Sequence, residues 1–352
     1  MDKCRLTMKL KINGRLCESV EDVRQCASEK LAAFVEEFTG AEDSVSAHTS
    51  GSTGTPKEIR LLKSDMRASA RLTNEFFSIG EDSVLYLCLS PDYIAGKMMI
   101  VRAMEAGAEL VEQRPSNEPM AGYDSNRRVT LLAVVPSQIG YLLNHPEYLD
   151  MVDNLIIGGG ALSERMEHWL ADKGVKAYKT YGMTETCSHI ALSSVSRESL
   201  PYTAIGDVTF SVDSRGCLMV DAPQFTTRNI VTNDIVELVD SRNFHWRGRI
   251  DNVINTGGLK VFPEEVEQAI ARILPRVKFY VTSRPSEKWG EELVMVLEYA
   301  GIGENVRKEG EVHGSLVEKL RRVLPPHAIP RHYIAVSHIP STSSGKIIRK
   351  RL

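Results

Sequence analysis

Only six of the 352 residues are cysteine (Cys4, Cys17, Cys26, Cys88, Cys187 and Cys217), and no two sit at the close spacing of a zinc site or a C-x-x-C redox pair. That excludes a disulfide-stapled scaffold and a structural zinc module, and it favours free thiols in a reducing compartment. Charge of one sign is also lacking. The 43 basic and 46 acidic residues leave a net charge of -3, spread along the chain. No electrostatic footprint for nucleic acid or an anionic membrane is visible. Long apolar runs are missing too, so no segment reads as a membrane span. The opening stretch "MDKCRLTMKLKINGRLCESV" alternates basic and apolar residues without an apolar core or a small-residue cleavage site, which argues against a secretory signal. Internal repeats and low-complexity segments are absent. With 42% hydrophobic and 25% charged residues, the chain is long enough to bury a sizeable core, and two domains are expected.

What is present divides by rhythm. From about residue 44 to 179, apolar β-rich runs alternate with helical patterns: "SVLYLCLS" then "IAGKMMIVRAMEAG", "VTLLAVV" then "SQIGYLL", and "NLIIGGG" then "SERMEHWLADKG". Such alternation predicts a mostly parallel, helix-covered sheet. Between about Ile205 and Arg249 strand pairs take over, turning at Ser214 to Gly216 and near Ser241 to Asn243, so an antiparallel β layer should follow. Beyond Arg249 a shorter unit mixes helices and strands. The expected fold is α/β, with a large domain over residues 1–250 and a small α+β domain over 251–352.

One loop stands out. In "HTSGSTGTPK", His48 to Lys57, Gly51 and Gly54 let the backbone curl so that N–H groups converge. Thr49, Ser50, Ser52, Thr53 and Thr55 add hydroxyl donors, and Lys57 adds a charge. This composition suits a polyphosphate, although Thr55 and Pro56 separate Gly54 from Lys57 and exclude a Walker A loop. Composition alone favours the plainer reading, a polar, flexible surface loop with an incidental lysine. Other stretches invite similar paired readings. Gly158, Gly159 and Gly160 follow an apolar strand, either as a plain turn or as a backbone surface for a base or phosphate. Glu185 is either a solvated charge or a Mg²⁺ ligand against phosphates. Asp234 caps a turn or holds a ribose diol. Arg249 and Asp251 form a surface ion pair or something more directed. "KIIRKRL" reads as a solvated basic tail when taken alone.

The stretch Thr49 to Lys57 resembles, at all nine positions, the phosphate loop of the adenylate-forming ligases, which include acyl-CoA synthetases, luciferases and peptide-synthetase adenylation domains. Four more stretches resemble motifs of that family in the same order. They are "TYGMTET" (Thr180 to Thr186), "TNDIVEL" (Thr232 to Leu238), "GRIDNVINTGGLKVFPEEVE" (Gly248 to Glu267) and "SSGKIIRK" (Ser343 to Lys350). The resemblance runs from about residue 40 to the end, and it implies ATP, Mg²⁺ and coenzyme A as cofactor and co-substrates. It assigns nucleotide contacts to Thr49, Ser50, Gly51, Ser52, Thr53, Gly54 and Lys57, and to Gly158, Gly159, Gly160 and Ala161. Further nucleotide contacts fall to Thr180, Tyr181, Gly182, Met183 and Thr184, with Asp234 on the ribose and Arg249 on the ribose or phosphate. Glu185 becomes the metal ligand, and Lys346 the cation present as the adenylate forms. Asp251 becomes the pivot of a small, mobile C-terminal domain, and Gly257 and Gly258 the slot for the pantetheine arm of coenzyme A. Catalytic roles fall to Lys346, Thr184, Glu185 and Arg249. Asn233 stands where the family carries glycine, and its tolerance of the left-handed conformation would keep Asp234 in place. Cys187 reads as a packing residue, since the chemistry needs no protein nucleophile.

The extended form "TYGMTETCSHIAL", with "SPDYIAGKM" upstream, resembles the o-succinylbenzoate–CoA ligases of menaquinone biosynthesis. That resemblance implies a thioester-forming ligase releasing AMP and pyrophosphate, with an acid pocket of Tyr93, Gly96, Lys97 and Ser188. The acid carries a second carboxylate, for which Lys97 is the first basic candidate and Arg102 the second. Relatives of this kind carry a longer N-terminal part before the phosphate loop, so the chain reads as a shortened form. Another aryl- or acyl-CoA ligase, a carrier-protein-loading adenylation enzyme, and a non-catalytic nucleotide-binding relic remain as alternatives. Partners are therefore ATP, coenzyme A and an aromatic carboxylic acid, in the cytoplasm, with a homo-oligomer left open and neither nucleic acid nor a membrane span expected.

Overall fold

The structure is a computed structural model and describes residues 9–48, 58–124, 126–275, 277–298, 313–341 and 347–352. Thr49, Ser50, Gly51, Ser52, Thr53, Gly54, Lys57 and Lys346 lie outside the described residues.

The chain opens with a hairpin, β1 (Leu10–Ile12) and β2 (Arg15–Cys17), followed by α1 (Val20–Cys26) and α2 (Glu29–Thr39). A capping box starts α1: Asp22 N–H donates to Ser19 Oγ at 3.2 Å, and Ser19 N–H donates to Asp22 Oδ2 at 3.0 Å. Next come β3 (Ser44–His48) and β4 (Glu58–Leu62), an antiparallel pair flanking the glycine-rich loop. Then follow α3 (Lys63–Phe76), β5 (Val84–Leu87), α4 (Ile94–Ala106), β6 (Glu109–Glu112) and β7 (Leu131–Val134). Two short helices, α5 (Pro136–Asn144) and α6 (Pro146–Leu149), lead to β8 (Leu155–Ile157), α7 (Glu164–Asp172) and β9 (Ala177–Gly182). The β-rich part comprises β10 (His189–Ser194), β11 (Tyr202–Ala204), β12 (Thr209–Val212), β13 (Cys217–Asp221), β14 (Asn229–Asp240) and β15 (Asn243–Arg249). The last unit holds β16 (Ile254–Thr256), β17 (Leu259–Val261), α8 (Pro263–Ile273), β18 (Phe279–Ser286), β19 (Gly290–Glu298), α9 (His313–Leu320) and β20 (His332–Val336).

Every residue of β5, β7 and β8 is buried. Apolar on both faces, these strands need helices on both sides, and they pair in parallel as that requirement predicts. The expected antiparallel strands follow in β10 to β15. They continue the same sheet edge to edge, in the order β12-β13-β14-β15-β11-β10-β9-β8-β7-β5-β6-β1-β2. The change of direction happens at β9, which runs parallel to β8 and antiparallel to β10. A second sheet, β17-β16-β19-β18 with β20 on β19, begins at Ile254 and shares no strand with the first. Among the described residues no helix is long and apolar enough to cross a membrane.

The join between the two halves of the large sheet has its own aromatic core. Phe244 of β15 is fully buried, with ring centroids 5.0 Å from Tyr181, 5.5 Å from Tyr202 and 4.9 Å from Phe210. Two of these contacts are edge-on, the arrangement the ring quadrupoles favour. Phe244→Ala should lower the unfolding free energy by about 3–5 kcal/mol in urea melts. A loss below about 1 kcal/mol would mean the join is held elsewhere.

Candidate active site

In open α/β sheets ligands lodge beyond the carboxyl ends of the parallel strands. Here those ends belong to β8, which runs into Gly158–Gly160, and β9, which carries Thr180, Tyr181 and Gly182 into the short helical turn Thr184–Thr186. The two lie close enough that a Cβ at Gly158 would stand 2.6 Å from Thr180 Oγ1. A side chain there would push the two strand ends apart. A cleft of about 2450 Å³ opens beyond them, with Gly159, Gly160, Ala161 and the segment Thr180 to Glu185 on one wall. That volume exceeds a single small-molecule site of roughly 300–1,000 Å³ and has room for several substrates together.

Asp234 sits at the back of this cleft. It lies opposite Arg249 in the β14–β15 register, and it is buried. Tyr181 Oη donates to Asp234 Oδ2 at 2.7 Å, and Arg249 Nη1 stands 3.6 Å from Oδ1. Burial first, and the Asp234 charge second, hold the Tyr181 hydroxyl well above its ordinary pKa, so it remains a donor. Arg249 also donates to Asp251 Oδ2 at 2.8 Å. Burial works against the Arg249 charge, but Asp251 and Asp234 raise its pKa overall. Asn233 departs from expectation. It does not use the left-handed region; it sits inside β14, its φ is not positive, and its amide donates to Asp251 Oδ2 at 3.3 Å. A glycine could not make that link to residue 251.

Glu185 is exposed on the cleft wall and has no hydrogen-bond or ion-pair partner among the described residues. Those residues contain no cluster of three or more His, Cys, Asp or Glu able to hold a metal ion. One free carboxylate facing a cleft fits Mg²⁺, which keeps most of its waters and takes phosphate oxygens, better than a metal caged by protein.

The residues expected for the acid, Tyr93, Gly96, Lys97 and Ser188, and Arg102 with them, are not among those that line this cleft; Tyr93 caps α4 and is partly exposed, and Gly96 lets that helix rest on the Ser90 carbonyl, which a Cβ would approach to 2.3 Å. Lys97 turns away from the role expected for it. Its ammonium stands 3.8 Å from Glu37 and 4.4 Å from the centre of the Phe34 ring, both on α2, so its charge is already partnered. Arg102 is the contrasting case. Its side chain is wholly buried; Nη2 donates to Ser188 Oγ, Nη1 to the Met99 sulfur at 3.4 Å, and Nε has no partner. No carboxylate pairs with it among the described residues. Burial pushes the guanidinium down to about 9. Its neighbour His189 is driven well below the ordinary histidine range by burial and then by the Arg102 charge, so the ring is neutral, with Nε2 3.1 Å from Thr73 Oγ1. Cys187 is buried at a positive φ of 60°, and burial pushes its thiol up to about 12, consistent with a packing residue.

The small unit presents its C-terminal segment to the cleft. Ile347, Arg349 and Arg351 line it, whereas Gly257 and Gly258 do not. Those two glycines form the β16–β17 turn at φ 58° and 80°, and a Cβ on Gly257 would lie 2.9 Å from the Trp289 ring. Arg349 pairs with Glu267 of α8 at 2.5 Å, Glu267 Oε1 accepts from Val281 N–H at 2.7 Å, and Thr282 Oγ1 donates to the Lys350 carbonyl at 2.9 Å. Arg351 reaches furthest: its guanidinium donates to the carbonyls of Asp251 at 2.9 Å and Val253 at 3.3 Å. Nothing in a run of basic residues at the end of a sequence distinguishes these anchors from a solvated tail. Glu267 and both arginines were missed for that reason.

Residues 18–221 match the AMP-binding enzyme family, and residues 265–346 match the AMP-binding enzyme C-terminal domain. The chain belongs to the AMP-binding enzyme family. A solved acyl-CoA synthetase (AMP-forming)/AMP-acid ligase II-like protein from Dyadobacter fermentans is 30% identical, with 90% of this chain and 91% of that one covered and a TM-score of 0.59. The 2-succinylbenzoate–CoA ligase of Enterococcus faecalis is 24% identical over 95% of this chain and 74% of its own length. The o-succinylbenzoate CoA synthetase of Bacillus subtilis, solved with its acyl-adenylate intermediate, shares the fold at a TM-score of 0.73 and 21% identity, over 86% of this chain and 67% of that one. The same enzyme has been solved with ATP and a magnesium ion. The activity is therefore that of an AMP-forming acid–CoA ligase.

The Glu267 anchor makes a pH test. Burial pushes its carboxyl from 4.5 up to about 7, with Arg349 and the Val281 N–H acting in the other direction. Because the folded value is raised, the folded state holds an extra proton between about pH 4.5 and 7, and stability falls as pH rises through that window. Between pH 5 and pH 8, wild-type protein should lose on the order of 1–3 kcal/mol more unfolding free energy in urea melts than Glu267→Gln does. Parallel losses in the two proteins would remove Glu267 as the titrating group.

Proposed function

We propose that this chain converts o-succinylbenzoate to o-succinylbenzoyl-CoA, with release of AMP and pyrophosphate, in the cytoplasm and as a step of menaquinone biosynthesis. The observation that carries the choice of acid is Arg102. A guanidinium has five donors and strongly prefers an anion, yet this one is fully buried with a hydroxyl and a thioether as its recorded acceptors. An acid with a second carboxylate would supply the missing charge partner, taking the place of or sharing the half-buried Ser188 hydroxyl. Monocarboxylic acids would leave it uncompensated. Lys97, already placed between Glu37 and Phe34, has no such demand.

In this reading the reaction has two halves. One carboxylate of the acid attacks the α-phosphorus of ATP and the bond to pyrophosphate breaks, which gives a mixed anhydride with AMP. The coenzyme A sulfur then attacks the acyl carbon, the thiol proton passes to solvent, and AMP departs. Asp234 takes the ribose hydroxyls, with Tyr181 and Arg249 fixing the carboxylate for them. Gly158, Gly159, Gly160 and Ala161 lie along the base, and Thr184 along the phosphate. The segment Thr49 to Lys57 wraps the outer phosphates, and Lys346 brings a cation to the charge gathering during the first half. Glu185 would hold Mg²⁺, which would supply positive charge against the phosphoryl oxygens.

Asp251 serves as the pivot between a large domain of residues 1–250 and a small one of 251–352. The C-terminal segment next to Lys346 faces the cleft while Gly257 and Gly258 stay outside it, an arrangement suited to the first half of the reaction. Rotation about Asp251 would bring the glycine turn in for coenzyme A.

A panel of carboxylic acids scored for coenzyme A thioester by mass tests the assignment. o-Succinylbenzoate should give thioester, and Arg102→Gln should cut its kcat/KM roughly a hundredfold or more while leaving benzoate turnover unchanged. Thioester from fatty or simple benzoic acids but none from o-succinylbenzoate would overturn the choice of acid. An equal loss for both acids in Arg102→Gln would make Arg102 a structural residue.

A further inference from the structure

Cys17 closes β2 at the edge of the large sheet and Cys26 ends α1. Nine positions apart, they show no recognisable motif in the sequence. The capping box at Ser19 turns the chain back on itself, however, and the two sulfur atoms stand 3.3 Å apart. A disulfide needs about 2.05 Å, so the two sulfur atoms have roughly 1.3 Å left to close. The pair plays no part in the ligase reaction, since neither residue lines the cleft. Its two members differ in access. Cys17 is fully buried with its thiol pushed up to about 12 by burial and by Cys26, whereas Cys26 is half-buried at the surface end. The exposure of Cys26 lets it meet an oxidant, and Cys17, 3.3 Å away, is the nearest group that could resolve the product, although burial slows it by keeping its thiol protonated.

We propose that Cys17 and Cys26 form a reversible redox site that closes as a disulfide when a hydroperoxide reaches Cys26. The chemistry balances in two steps. The Cys26 sulfur attacks the peroxide oxygen, the O–O bond breaks, and Cys26 becomes a sulfenic acid while the hydroperoxide leaves as its alcohol, or as water in the case of hydrogen peroxide. The Cys17 sulfur then attacks the Cys26 sulfur, the S–O bond breaks, and the oxygen leaves as water with the Cys17 proton. Two electrons have passed from the sulfur pair to the peroxide. A small dithiol reverses the change and is itself oxidised to a disulfide.

The bond would fasten β2 to the corner between α1 and α2. That corner matters to the rest of the chain. Ser28, which caps α2, donates to Glu112 of β6, and further along α2 Glu37 accepts from Ser46 N–H at the start of the loop-bearing hairpin.

The test uses the full reduced chain with hydrogen peroxide as the probe. After brief exposure and removal of peroxide, the chain is unfolded, alkylated and mapped by peptide mass. The expected result is a Cys17–Cys26 linked peptide lacking two hydrogens, reversed by dithiothreitol, with the other four cysteines still alkylated. Cys26→Ser should leave Cys17 alkylatable after the same exposure. Sulfinic acid at Cys26 with Cys17 still alkylatable in the unsubstituted chain would overturn the proposal, as would a bond from either residue to any other cysteine or to a second chain.

Discussion

The rest of this structure depends on one buried carboxylate. Asp234 receives the Tyr181 hydroxyl at 2.7 Å and faces Arg249 across the β14–β15 ladder. Through Tyr181 it touches β9, the strand at which the large sheet changes from parallel to antiparallel. Through Arg249, and through its chain neighbour Asn233, it reaches Asp251, where the chain leaves that sheet. A carboxylate this deep is costly unless its lone pairs are used, and it has lone pairs beyond those that Tyr181 fills. Its geometry therefore joins two jobs: it holds the sheet's two halves together, and it retains an acceptor for hydroxyls arriving from the cleft.

A second constraint concerns the C-terminal end. Arg349 and Arg351 convert what would be a loose tail into a strap, fixed at one point to Glu267 of α8 and at another to the backbone of residues 251 and 253. If residue 251 is the pivot, the strap that follows Lys346 is fastened to the pivot itself, so the cation and the axis of rotation move as one body. Between the units, Arg272 of α8 pairs with Glu164 of α7, and Arg247 pairs with Glu265. Surface pairs of this kind contribute little each.

Much of this was legible beforehand. The alternation of apolar runs and helical patterns gave the parallel core because doubly covered strands must be apolar on both faces, as β5, β7 and β8 are. The turns at Gly216 and before Asn243 followed from turn chemistry. The N-terminal hairpin was not visible, since its three-residue strands are too short for alternation to register. The edge-to-edge join at β9 was equally hidden, because strand order is set by packing among distant segments. In the site, glycine-rich stretches and the Thr180 to Thr186 segment could be found as local patterns. The ranking of Lys97 over Arg102 could not be corrected from sequence, for the two differ only in what distant residues bring: Glu37 and Phe34 to one, and no carboxylate to the other. The Cys17–Cys26 proximity belongs to the same class.

The proposed function puts an adenylate's ribose on Asp234, which lines the cleft, and an acid's free carboxylate on Arg102, which is buried outside the cleft's lining. A crystal structure with a non-hydrolysable sulfonamide analogue of o-succinylbenzoyl-adenylate tests it most directly. The expected result is ribose hydroxyls within hydrogen-bonding distance of the Asp234 carboxylate, and the carboxylate that is not adenylated on the Arg102 guanidinium with Ser188 displaced or sharing it. An analogue whose ribose lies away from Asp234, or whose free carboxylate points to solvent while Arg102 stays capped by Ser188 alone, would contradict it.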